Sequence, residues 1–69
     1  MSVKKQIKKA LVSRQMTQQE LAERLGKPYG TVRNALSRDN MRASTLEEYA
    51  DALGCDVVLL DRETGEIYR

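Results

Sequence analysis

The 69-residue sequence has no histidine, no tryptophan, no phenylalanine, one cysteine and one proline. Each absence closes a class of function. Cys55 has no partner in the chain, so no internal disulfide can staple this small domain. With no histidine and one cysteine a zinc site lacks its ligands. Neither a Ser-His-Asp nor a Cys-His catalytic set can be assembled. No run approaches the ~20 apolar residues that cross a bilayer. The opening residues MSVKKQIKKALVSRQ place Lys and Gln where a secretory leader carries its apolar stretch. The expectation is a reduced, cytoplasmic, non-enzymatic domain without metal or cofactor. A chain of this length buries only about 60% of its unfolded surface, so self-association would help to stabilise it.

Charge is abundant but unevenly placed. Residues 1–42 hold ten Lys/Arg against three acids, and residues 43–69 hold two Arg against seven acids. The balances are +7 and −5, within a net charge of +2. The first part is suited to a polyanion and the second would repel one. Charge alone does not exclude the competing reading of solvated helix faces.

Hydrophobic spacing organises the chain. Ser2 is a candidate N-cap, and Val3, Ile7, Ala10 and Leu11 recur at helical intervals, predicting a first helix over 3–14. Thr17 and Glu20 match a capping box, and Met16 with Leu21 fits a hydrophobic staple. Leu21, Ala22 and Leu25 supply an inward stripe, and Gly26 supplies a left-handed stop, giving a second helix over 18–25. Pro28 suits a first helical position behind Lys27 as N-cap, and Val32, Ala35 and Leu36 face inward from a third helix over 28–37. Two short helices joined by a tight Gly-containing turn make a helix-turn-helix. Residues 37–43 read as a loop. Ser44/Glu47 and Thr45/Glu48 each match a capping box for a fourth helix over 45–53, with Leu46, Tyr49, Ala50 and Leu53 inward and Gly54 closing it. The period then changes. Val57 to Leu60 is a β-rich run, 61–65 is turn-like, and 66–68 can return as a second strand.

These segments resemble the lambda repressor-like (phage Cro/repressor, XRE) helix-turn-helix family. The resemblance is carried by residues 17–26, TQQELAERLG, followed by 27–36, KPYGTVRNAL, and by 44–54, STLEEYADALG. Ala22, Gly26 and Val32 stand where the family needs a small residue, a turn glycine and a β-branched core residue. The similarity spans roughly residues 3–54. It implies a mostly α fold, a four-helix DNA-binding domain over 1–55, to which the β-rich run adds a C-terminal β-hairpin over 56–69 of the same domain.

With Val32, Ala35 and Leu36 buried, the third helix turns Tyr29, Gly30, Arg33, Asn34 and Ser37 outward. In a recognition helix docked in the major groove, Tyr29, Gly30, Arg33 and Asn34 are the candidate base contacts. Arg33 can grip guanine O6 and N7, and Asn34 can grip adenine N6 and N7. Tyr29 can meet a thymine methyl or a phosphate, or fold over Pro28 as surface packing. The competing reading for Arg33 is a pair with a surface acid. Gly30 replaces the Ser, Thr or Gln common in the family, so either a backbone approaches closely there or nothing is selected. The family's phosphate-holding position falls on Gln18. Lys27, Thr31, Ser37, Arg38 and Arg42 are further candidate phosphate contacts. Lys4, Lys5, Lys8 and Lys9 read as a general electrostatic collar, and Cys55 as a small semi-buried residue.

The expected function is a sequence-specific transcriptional regulator, a dimeric repressor of phage or mobile-element type that binds a palindromic double-stranded operator. Its place would be the nucleoid of a bacterial or phage-infected cell. Two alternatives stand beside it: an antitoxin whose main partner is a toxin protein, and an adaptor that kept the fold and lost DNA. For dimerisation the candidates are Val57, Val58, Leu59, Leu60 and Ile67, pairing strands or hairpins between subunits. The competing arrangement folds the hairpin onto its own first helix.

Overall fold

A computed structural model describes residues 3–38 and 41–69. Ser2, the expected first cap, and positions 39–40 of the expected loop lie outside the described residues. Four helices, α1 (Val3–Ser13), α2 (Gln18–Leu25), α3 (Tyr29–Ser37) and α4 (Ala43–Ala52), precede an antiparallel hairpin of β1 (Leu59–Leu60) and β2 (Ile67–Tyr68).

The helix ends follow from local chemistry. Helix α1 stops because Gln15 adopts a left-handed backbone, φ 52°, which lets the Met16 N–H close on the Leu11 carbonyl at 2.9 Å. Helix α2 starts at a complete capping box. The Glu20 N–H donates to Thr17 Oγ1 at 3.1 Å, and the Thr17 N–H donates to Glu20 Oε1 at 3.1 Å. It stops at Gly26, φ 67°, where the Lys27 N–H reaches the Ala22 carbonyl at 3.0 Å.

Two starts differ from expectation. Pro28, not Lys27, is the N-cap of α3. Its ψ of 144° is extended, while its carbonyl already accepts from the Thr31 and Val32 N–H groups at 3.1 and 3.4 Å. Helix α4 begins at Ala43, earlier than the expected residue 45, because the Leu46 N–H closes a turn on the Arg42 carbonyl at 2.9 Å. Ser44 and Thr45 therefore lie inside the helix and neither expected capping box forms. Glu48 turns to another partner, described below. Helix α4 ends one residue before the expected Leu53.

The core is built from the inward stripes. Ile7, Leu11, Leu21, Ala22, Val32, Leu36, Tyr49, Ala50 and Leu53 are buried. Val3, Ala10, Met16, Leu25, Ala35, Met41, Leu46, Ala52 and Cys55 pack around this cluster half-buried. Helix α2 packs on α3 and α4, and α1 closes over α3 and α4. Arg24 Nη1 donates to the Ala52 carbonyl at 3.3 Å and so ties α2 to the C-terminal end of α4.

The hairpin stands outside this core. Leu59 pairs with Tyr68 and Leu60 with Ile67, so each pair faces an opposite side of the two-stranded sheet. None of the four joins the core cluster, and Leu59 is 75% and Leu60 61% exposed. The competing fold-back onto α1 is thus not what the chain adopts. The Cα radius of gyration is 12.5 Å, against about 11 Å for a compact domain of this length.

Candidate nucleic-acid interface

Helix α3 buries Val32 and Leu36 and half-buries Ala35, which leaves a broad outer face. At about 100° per residue, the exposed arc runs through Arg33, Ser37, Gly30, Asn34, Arg38 and Thr31, in that order. All six are exposed. Tyr29 borders the arc beside Arg33, and is exposed as well. The four candidate base contacts therefore share one surface, with Gly30 and Asn34 near its middle.

An open cleft flanks each side of the arc. The first, about 510 Å³, lies between the N-terminal ends of α2 and α3 and is lined by Thr17, Gln18, Gln19, Tyr29 and Arg33. The second, about 320 Å³, lies between the C-terminal end of α3 and the start of α4, and is lined by Ala35, Arg38, Met41, Arg42 and Thr45. Each cleft combines the start of a helix with at least one guanidinium. Helix N-termini present unpaired N–H groups and the positive end of the helix dipole, which favours an anion there. The two clefts are separated by the width of α3, so a groove-docked α3 would have a phosphate-suited site on either side.

The remaining candidates divide by their surroundings. Gln18 sits in the first cleft, and Arg38 and Arg42 share the second. Ser37 Oγ donates to the Asn34 carbonyl at 2.7 Å, a bond within the helix. Among the described residues no acid pairs with Arg33, so the alternative of a surface ion pair is not what they show. Lys27 faces α4. Its Nζ lies 2.7 Å from Glu48 Oε1 and 5.9 Å from the centroid of the buried Tyr49 ring. The hydrogen bond to Glu48 holds the Lys27 ammonium above its ordinary value, and burial pushes the Tyr49 phenol up against the opposing pull of Lys27. A phosphate reaching Lys27 would meet an ammonium already paired with Glu48.

Five lining residues are not legible as site residues in the sequence: Thr17 reads there as a helix cap and Ala35 as a core position, and Gln19, Thr45 and Met41 join them. Gln19 adjoins Gln18 at the start of α2 and has no signal of its own. Thr45 matches a capping box that the earlier start of α4 dissolves. Met41 falls in a stretch with the polar character of a loop. At the far end of the molecule, Arg14 Nη2 donates to Cys55 Sγ at 3.2 Å, a contact across 41 residues of sequence. The dimerisation candidates Val57, Val58, Leu59, Leu60 and Ile67 are all exposed, in or beside the hairpin. Among the described residues no helix is long and apolar enough to cross a membrane.

The family model of the Cro/C1-type HTH DNA-binding domain matches residues 6–58, which hold all four helices but for the first turn of α1 and exclude both strands of the hairpin. No curated protein and no solved structure matches the chain significantly.

Proposed function

The chain belongs to the Cro/C1-type helix-turn-helix DNA-binding family, and from that footing we propose that it is a sequence-specific transcriptional regulator acting by occupancy of DNA, without catalysis. Helix α3 enters the major groove. Arg33 and Asn34 address base edges, and the clefts at the starts of α2 and α4 take backbone phosphates through Gln18, Arg38 and Arg42. The observation that carries this reading is the exposed arc of α3, which runs from Arg33, with a helix start on either side and with Arg38 and Arg42 at the far side.

The finer form is a repressor that binds a palindromic operator as a homodimer. One recognition helix reads only a few base pairs, and two held about 34 Å apart read one face of the duplex. The hairpin supports this form, since its apolar residues are exposed on both faces and its edges are open. Co-purification of a small toxic protein would favour the antitoxin reading over it.

Selection of bound duplexes from a random pool, followed by titration in salt, tests the proposal. Each neutralised phosphate contributes about −0.9 to the slope of log K against log salt. A dimer with roughly six contacts loses affinity steeply between 50 and 200 mM salt. A salt-independent interaction, or none with any duplex, rules the proposal out.

A further inference from the structure

Gly30 has no reason within the chain to be glycine. A methyl group placed on its Cα meets nothing within 4 Å, and its backbone is ordinary right-handed helix. Crowding and left-handed geometry, the two usual demands for glycine, are both missing. Glycine is also the poorest helix former after proline. The position gives up helix propensity in the second residue of a nine-residue helix, on the face that the rest of the molecule leaves open.

The surroundings give that gap a shape. Gly30 and Asn34 are four residues apart and lie one above the other on the exposed arc. Tyr29 and Arg33 rise along one flank. The result is a bare strip of helix backbone between taller side chains. In the major groove, base edges carry hydrogen-bond donors and acceptors and one apolar group, the C5 methyl of thymine. The Gly30 Cα offers van der Waals contact and no side-chain polarity, so the methyl is the group it fits. The axial rise from residue 30 to 34 is about 6 Å, under two base-pair steps of ~3.4 Å. Gly30 and Asn34 can therefore act on the same or neighbouring base pairs.

We propose that Gly30 is a specificity-determining notch that admits the C5 methyl of thymine against the α3 backbone, beside the base that Asn34 reads. This rests on the DNA-binding function proposed above and goes on to name a base that the recognition helix prefers.

The test uses the full chain and a duplex obtained by selection, with single thymines replaced in turn by deoxyuracil, which removes only the methyl. At one position per half-site the replacement is expected to weaken wild-type binding about fourfold, the worth of one buried methyl-sized group. Gly30→Ala is expected to melt at or above the wild-type temperature. It should bind the thymine duplex at least fourfold more weakly and no longer distinguish thymine from deoxyuracil. The notch is overturned if wild type treats the two bases alike at every position, a result that does not depend on how the variant folds. It is equally overturned if Gly30→Ala keeps both the affinity and the preference. Failure of wild type to bind any duplex overturns the DNA reading itself, and is distinct from both of those results.

Discussion

Gln15 carries a backbone conformation that glycine holds elsewhere in this fold. Gly26 and Gly54 end α2 and α4 with φ of 67° and 69°, whereas α1 ends on Gln15 at φ 52°. A residue with a Cβ loses about 1–2 kcal/mol in that region relative to right-handed helix. Glycine avoids the clash but gives back part of the gain through the freer unfolded chain. Gln15→Gly is therefore expected to stabilise the domain by about 0.5–1 kcal/mol, raising Tm by a few degrees. Thermal denaturation followed by circular dichroism checks it, and an unchanged or lower Tm counts against the strain. At the same scale, Lys27 shows how one side chain can be placed on the right surface by its type and on another by its partner. Its neighbours in sequence suggest the DNA side; Glu48 and Tyr49 draw it to α4.

Helix α3 works as an element because its two sides differ: apolar residues fix it to α2 and α1, and polar ones stay free. Its two outward arginines occupy different settings, and their loss is expected to differ accordingly. Arg33→Ala should cost about 1–3 kcal/mol at one base pair per half-site and relax specificity there. Arg38→Ala should weaken all sequences alike and reduce the salt slope by about 1. Competition binding with single-base variants of the selected site separates the two. If Arg33→Ala weakens cognate and altered sites equally, Arg33 holds a phosphate. The hairpin depends on a different device. Asp61 Oδ1 accepts from the Thr64 N–H at 3.1 Å and the Glu63 N–H at 2.8 Å, while the Asp61 N–H donates to the Glu66 carbonyl at 2.8 Å. The bonds from Thr64 and Glu63 hold the Asp61 carboxyl below its ordinary 3.8. A lowered folded value means that the carboxylate supports the turn above 3.8, and that this support is lost as pH falls through the lower folded value. Protection of the Glu63 and Thr64 amides, measured against their intrinsic exchange rates, is expected to fall in that acid range, ahead of the helices. Asp61→Asn keeps an acceptor oxygen and should remove this pH dependence; a pH dependence that survives it has another source.

For the whole molecule, the division of charge coincides with a division of labour. The basic part holds α1 to α3 and both clefts' arginines, and the acidic part holds all of α4 and the hairpin. A projecting, apolar, two-stranded hairpin is marginal by itself, and the homodimer proposed above would cover it while supplying the second recognition helix. Truncation after Cys55 is expected to leave the helical domain folded, since none of the hairpin's strand residues belongs to the core. The truncated chain should sediment as a monomer while the full chain sediments as a dimer. A full-length monomer well above micromolar concentration overturns the β-mediated dimer. Edge pairing would also place the acidic segment away from the phosphates, consistent with its sign.

The helices and the buried stripes are legible in the amino-acid sequence alone, because both depend on short-range periodicity and on end signals such as Thr17/Glu20, Gly26 and Gly54. The face of α3 is legible for the same reason: once Val32, Ala35 and Leu36 point inward, the geometry of a helix decides what points out. What lies beyond the reach of sequence is every choice among competing partners. Glu48 matches a capping box with Thr45 three residues away, and the fold gives it to Lys27, 21 positions away in sequence, because α2 packs on α4. The start of α4 moves with it, and Thr45 joins a cleft beside Arg38 and Arg42 that no local pattern encodes. The hairpin's apolar run is visible in the sequence, but whether it lies on α1 or stands clear is decided by helices that fill one another's apolar faces and leave it none.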